Sequence, residues 1–230
     1  MSRPSISPAS DFPFQRFRKE QIGLRLLNYL GQLRPYSYAD LWLLLAAGGA
    51  GAIGFAQASA LWFAFLIYLE WRHRDRGRRP WPWAAWAGLG LFGLLLGPSP
   101  AVACFAALCV LYASKKAFPR LALISPLING LLKASLLFVA TGVAGPFALL
   151  VAVLTGIRNL AGDMRDVVKD RAENVETIPV RLGFKHDHPV LYPAALAATS
   201  AVWVIYGDLP VWVLALAWLV ELTTYRLTPR

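Results

Sequence analysis

Arg158-Asn159-Leu160-Ala161-Gly162-Asp163-Met164-Arg165-Asp166-Val167-Val168-Lys169-Asp170-Arg171, followed by Thr177-Ile178-Pro179-Val180-Arg181-Leu182-Gly183, decides how the rest of the chain is read. Of 13 acidic residues in the chain, Asp163, Asp166, Asp170, Glu173 and Glu176 all fall here. One long apolar segment runs into the stretch and another leaves it. Carboxylates gathered at the mouth of an apolar helix need a counter-charge, and a divalent cation holding a phosphorylated ligand supplies one. With residues 159–171 read as one helix, Asp163, Asp166 and Asp170 stand at i, i+3 and i+7 on a single face, and Asn159 shares it one turn earlier. Such oxygen donors suit Mg²⁺, which keeps several waters and is completed by substrate phosphates. Arg165, Lys169, Arg171 and Arg181 would neutralise the carboxylates or clamp diphosphate oxygens. The spacing fits equally a solvated helix laced with Asp–Arg pairs.

Composition narrows the class. The 230 residues are 57% apolar and 16% charged, with a mean hydropathy of +0.48, which points to an integral membrane protein. The net charge of +10 would raise nucleic acid as a partner of a soluble protein. Here the basic residues sit in short loops between apolar runs, so membrane topology accounts for them and no nucleic-acid partner is expected. Residues 1–34 read as a disordered, basic cytoplasmic segment rather than a signal peptide, and residues 35–230 as a single transmembrane domain. Cys104 and Cys109 read as buried packing residues inside an apolar helix.

Eight apolar runs are legible: 38–56, 57–71, 83–97, 101–114, 121–141, 145–160, 188–206 and 210–226. Lys and Arg fill the loops after the even-numbered runs and are absent from the loops after the odd-numbered ones. That asymmetry places both termini and the acidic loops in the cytoplasm; the expected membrane is a prokaryotic inner membrane. Trp71, Trp81, Trp83 and Trp86 flank the first basic loop, as residues at a headgroup boundary do. Lys133 is the one basic residue set at depth. It is open whether it snorkels from a helix end or faces inward toward an anionic ligand.

These residues carry a family resemblance. Asn159, Arg165-Asp166-x-x-x-Asp170-Arg171 and Thr177-x-Pro179-Val180-Arg181-Leu182-Gly183 resemble the second aspartate-rich motif of the UbiA-type intramembrane prenyltransferases. Leu33-Arg34-Pro35 is similar to that family's entry segment, Tyr112-Ala-Ser-Lys-Lys116 to its Tyr-x-x-x-Lys, and Asn129 falls where a polar residue is common. The family's first aspartate motif is replaced by Tyr68-Leu69-Glu70-Trp71-Arg72-His73-Arg74-Asp75-Arg76-Gly77-Arg78-Arg79-Pro80, which keeps Arg-Pro and only Glu70 and Asp75 as acids. Near Glu173-Asn174-Val175 the family commonly has a glycine.

The resemblance implies an all-α, polytopic bundle with a cavity open to lipid; the apolar runs give about eight transmembrane helices, one fewer than the nine expected of the family. It implies transfer of a prenyl group from an isoprenyl diphosphate to a lipophilic, commonly aromatic, acceptor, with Mg²⁺ as cofactor. Asp166 and Asp170 would be the principal catalytic metal ligands, followed by Asn159 and Asp163, with Glu70 and Asp75 from the first loop. Lys116, Arg171, Tyr112, Lys133 and Arg165 would contact the diphosphate. The depleted first motif keeps a second reading open, a non-catalytic relative that binds prenyl lipid or assists a partner enzyme. A small transporter is a third.

Other features have plainer readings. Asp40 reads as a helix N-cap or early-turn acid, and Asp208 as a turn residue. Glu221 either pairs with Arg226 or faces the bundle. His186-Asp187-His188 has the look of a metal pair at a loop-to-helix entry. Gly48, Gly49, Gly51 and Gly54 would let helices approach closely.

Overall fold

The computed structural model describes residues 31–73, 81–115 and 117–225. Among them the chain is all-helical. In chain order the helices are α1 (Pro35–Ala47), α2 (Ala52–His73), α3 (Trp83–Leu96), α4 (Pro100–Ala113), α5 (Pro119–Leu123), α6 (Ser125–Thr141), α7 (Pro146–Arg165), α8 (Val167–Ala172), α9 (Ile178–Arg181), α10 (Leu191–Tyr206) and α11 (Val211–Tyr225). Eight of these correspond to the eight apolar runs.

Three boundaries differ from the sequence reading. The first break falls at residues 48–51, not at 56–57, because Gly49 turns the chain with φ +72°, a conformation that costs glycine little. The fifth run divides at Ile124 into α5 and α6, where Pro126 lies in the first turn of the second helix and has no backbone N–H to donate to the turn before it. Residues 159–171 are not one helix: α7 ends at Arg165, and Asp166, at φ −109° and ψ 19°, separates it from α8.

Two apolar cores share a common wall. The first joins Leu61, Trp62, Phe65, Leu66 and Leu69 of α2 to Phe105 of α4 and Leu132 of α6. The second joins Phe147 and Val151 of α7 to Trp203 of α10 and Ala217 of α11. Helices α1 and α6 serve both. Leu41 and Leu45 of α1, with Ile128, Leu132 and Leu136 of α6, face the first core, while Leu43, Leu44 and Leu137 face the second. The spacing of Ile128, Leu132 and Leu136 is one residue per turn on one stripe.

Small residues let this wall close. A Cβ on Gly130 would stand 2.2 Å from the Ala152 carbonyl oxygen of α7, and one on Gly54 would stand 2.0 Å from that of Ala140. Close packing is therefore the role of Gly54 and Gly48, whereas a Cβ on Gly49 or Gly51 would meet nothing within 4 Å.

The outward faces are apolar too. Leu95, Leu149, Ile157, Ile205, Val211 and Leu219 all lie exposed. The spans Ala52–Arg72 and Pro146–Arg165 are each long and apolar enough to cross a membrane, and five further apolar helices are shorter. Cys109 is buried, whereas Cys104 is exposed rather than a core residue, and both are free thiols.

Candidate functional site

The acidic stretch is built by the end of α7 and a chain reversal after it. Val175 N–H donates to the Asp170 carbonyl at 2.8 Å, and Asn174 bridges the reversal at φ +56°. This left-handed position favours glycine and tolerates asparagine, which explains the residue found there. Thr177-Ile178-Pro179-Val180-Arg181-Leu182-Gly183 then forms the single turn of α9. Phe184 N–H returns to the Pro179 carbonyl at 3.0 Å and Gly183 N–H to Val180 at 3.1 Å, with Gly183 at φ +86°. That is a Schellman closure, and it requires the glycine. The tail thereby buries Thr177 and Pro179 and presents the Thr177 hydroxyl to Asp170 Oδ2 at 3.3 Å.

Three other segments meet here. Tyr112, in the last turn of α4, donates to Asn159 Oδ1 at 2.8 Å. The Asn159 amide lies 3.5 Å from both Ser125 Oγ and Asp163 Oδ2. Lys115 Nζ stands 4.0 Å from Asp163 Oδ1 and 4.8 Å from the centre of the Tyr112 ring. Asp163 is 5% exposed, yet its closest partners are at the outer limit of useful contact.

Charge in this corner is out of balance. Burial pushes the Asp170 carboxyl up to about 6; Lys115 opposes that shift, Asp166 adds to it, and the Thr177 hydroxyl opposes it. Burial alone would pull Lys115 down, but Tyr112, Asp163 and Asp170 outweigh it and hold the ammonium well above its usual range. Lys115 thus faces both Asp163 and Asp170, and Lys169 adds a smaller opposing influence on Asp170.

The predicted site residues separate into groups. Tyr112, Asn159, Asp163 and Asp170 come together. Asp166 turns away into a two-pronged ion pair with Arg165, Nε to Oδ1 at 2.8 Å with a shorter NH2–Oδ2 contact. Arg165 also donates to the Tyr225 hydroxyl at 3.1 Å and lies over the Tyr192 ring at 4.9 Å. The helix is interrupted at Asp166, whose carboxylate is taken by Arg165 while it still adds negative charge beside Asp170. Arg171 is exposed and donates to the Phe184 carbonyl at 2.6 Å. Glu70 is held by Arg34 at 2.7 Å. Asp75 and Lys116 lie outside the described residues. Lys115, Ser125 and Thr177 are site residues that spacing did not single out; Lys115 stands beside the lysine named in the motif.

Asn159, Asp163 and Asp170 supply the hard oxygens that Mg²⁺ prefers, and the under-neutralised Asp163 and Asp170 give a cation something to relieve. Among the described residues no three His, Cys, Asp or Glu side chains converge as a ready-made metal cluster. The fit is therefore one of donor chemistry and charge. Beside this corner, Phe118, Arg120, Leu121 and Glu176 line an open groove of about 600 Å³.

A second ionic group lies inside the bundle. Asp40, from α1, pairs with Arg158 of α7 and with Lys133 of α6 at 3.2 Å, and accepts from Trp203 Nε1 of α10 at 2.9 Å. The Lys133 ammonium sits 4.0 Å over the Trp62 ring, and Arg158 also reaches Thr199 at 3.2 Å. Glu221 of α11 accepts from Ser200 at 2.5 Å. Asp40 is thus a buried interior acid and not an N-cap, since Arg34 holds the position before α1. Lys133 does not snorkel: it is buried and faces inward, where its ammonium meets the Asp40 carboxylate that Arg158 also holds. Glu221 faces the bundle. His186, Asp187 and His188 are exposed, with Asp187 capping Val168 N–H at 2.8 Å. Asp208 occupies a turn, at φ +49°.

The fold and site define a class: a bundle of apolar helices with a mixed carboxylate, amide and ammonium corner at one end. No protein-family model matches the chain, and no curated protein or solved structure matches it.

Proposed function

We propose that this chain is an integral, polytopic membrane protein of the UbiA type that binds an isoprenyl diphosphate with Mg²⁺ and transfers its prenyl group to a lipophilic acceptor. Eight apolar runs, apolar outward faces and the one-sided placement of Lys and Arg support the eight-span reading, with both termini and the acidic corner in the cytoplasm. The shorter helices cross with help from their neighbours and from interfacial side chains.

The observation that carries the reading is the pair Asp163 and Asp170, partly buried, sharing Lys115 beside Tyr112 and Asn159. Asp163, Asp170 and Asn159 are the proposed metal ligands. Lys115 and Tyr112 offer donors to the diphosphate, and Thr177 orients Asp170. When bound, Mg²⁺ supplies electrophilic stabilisation to the leaving diphosphate. Asp166 joins only where Arg165 releases it. The test is Mg²⁺-dependent binding of geranyl diphosphate to the purified protein in lipid nanodiscs. Asp163→Asn combined with Asp170→Asn should weaken binding about a hundredfold, corresponding to ~2.7 kcal/mol. Equal binding by the variant and the parent would sink the proposal.

The Arg34–Glu70 pair favours a second reading. An arginine stands against the sole described acid of the first loop, as in a protein that holds prenyl diphosphate without cleaving it. Binding without release of inorganic diphosphate, over hours with a panel of acceptors, would select that reading.

A further inference from the structure

Segment 181–191, between α9 and α10, combines two properties that rarely occur together in water. It is firmly tethered: Arg171 donates to the Phe184 carbonyl at 2.6 Å, Phe184 N–H returns to Pro179 at 3.0 Å, Asp187 caps Val168 N–H at 2.8 Å, and His188 N–H donates to the Met164 carbonyl at 3.0 Å. Yet every residue from 181 to 191 is exposed. Among them Leu182 is 71% exposed and Val190 72%, with Phe184 and Leu191 also outside the core. A loop held this tightly is not exposing apolar side chains by fluctuation. Leu182 alone forgoes ~1–2 kcal/mol of burial, so the surface calls for a cover.

Charge selects the cover. Arg181 and Lys185 stand within the segment, and the adjoining α8 carries Lys169 and Arg171 with Asp170 between them. The acid of the segment, Asp187, spends one oxygen on Val168; Glu173 and Glu176 lie on the preceding reversal, and Glu176 lines the groove. Leucine, phenylalanine and valine interleaved with arginine, lysine and histidine match the boundary between acyl chains and anionic headgroups.

We infer that segment 181–191 is a membrane-surface seat that lies in the headgroup layer of an anionic bilayer. Leu182, Phe184 and Val190 enter the acyl boundary, and Arg181 and Lys185 meet lipid phosphates. The inference rests on the membrane reading and not on prenyl transfer.

The experiment uses the full chain in nanodiscs of phosphatidylcholine with about one-third phosphatidylglycerol, which gives the bilayer a negative surface. Leu182→Cys or Phe184→Cys, in a Cys104→Ala background, carries a bimane label. Lipids brominated on the acyl chain should quench both labels, and aqueous iodide should leave them bright. Quenching by iodide but not by brominated lipid overturns the inference. So does protection from both quenchers, which would mark a protein cover. A second arm counts phosphatidylglycerol retained by native mass spectrometry. Arg181→Gln with Lys185→Gln should lower the preference for phosphatidylglycerol over phosphatidylcholine several-fold, and an unchanged preference overturns the headgroup assignment. Neither arm contains a prenyl diphosphate, so both read the seat even where geranyl diphosphate fails to bind. A chain extracted from membranes by carbonate would instead defeat the membrane reading itself.

Discussion

Arg158 and Asp163 belong to the same helix, about 7–8 Å apart along its axis, and sit in opposite electrostatic worlds. Around Arg158 the partners are close: Asp40 meets both Arg158 and Lys133 at contact distance, Trp203 donates to the same carboxylate, and Trp62 covers the ammonium. Around Asp163 the partners stand off, the nearest ammonium at 4.0 Å and the nearest amide at 3.5 Å. Buried charges with close partners hold helices in register. Buried charges with distant partners are the ones a ligand can still satisfy. The inner cluster therefore reads as part of the fold and the outer corner as the proposed ligand site, although both consist of the same few residue types.

Removing the shared acid of the inner cluster should break this contrast most severely. Asp40→Ala leaves Arg158 and Lys133 buried, adjacent and unneutralised. The expected loss is about 3–5 kcal/mol of stability, read as a lower unfolding midpoint in detergent. Adding Lys133→Met removes one stranded cation and should recover part of that loss. If Asp40→Ala unfolds at the parental midpoint, the inner cluster is not structural and the contrast fails.

The outer corner should respond to pH instead. Asp170 binds its proton more tightly in the folded protein, near pH 6, than its ordinary carboxyl value of 3.8. Its contribution to the stability of metal-free protein is thus greatest below pH 4 and is lost as pH rises through 6. In EDTA, the parental unfolding midpoint should fall between pH 4.5 and 7, measured relative to Asp170→Asn. Saturating Mg²⁺ should flatten the difference, because a cation replaces the proton. A difference curve already flat in EDTA would mean that the corner carries no excess negative charge.

Much of this was legible in the residues. Hydropathy locates eight helical runs because each is bounded by proline, glycine or a basic cluster, and those punctuators act locally. The tail from Thr177 to Gly183 is legible for the same reason: proline opens its turn and Gly183 closes it. The break at Asp166 is not, since nothing in Arg165-Asp166-Val167 forbids helix. It accompanies an ion pair between chain neighbours and the anchoring of Arg165 on Tyr225, a tertiary contact. The inner cluster escaped for a related reason. Asp40, Lys133 and Arg158 are far apart in sequence, and only helix packing makes them one group. Their signs were the available clue: two cations and an acid embedded in apolar runs require one another. Spacing did not single out Lys115, because only the way the end of α4 meets α7 brings its ammonium to 4.0 Å from Asp163.

The smallest expected effect sharpens the division between the two regions. Tyr112→Phe removes the hydroxyl that Asn159 Oδ1 accepts at 2.8 Å and keeps the ring, which packs against Phe65 at 5.9 Å between centroids. Loss of one hydrogen bond costs ~1 kcal/mol, and the freed amide oxygen can turn toward a cation. Stability should therefore drop slightly while Mg²⁺ affinity of the ligand-free protein holds or rises. Geranyl diphosphate affinity should fall about fivefold, since a hydroxyl donor to the diphosphate is gone; that is ~1 kcal/mol. The opposite split, with metal affinity lost and diphosphate affinity kept, would mean that Tyr112 serves only to aim Asn159. The phenol would then belong with the supporting structure, and Lys115 would be left as the donor the outer corner offers to a phosphate.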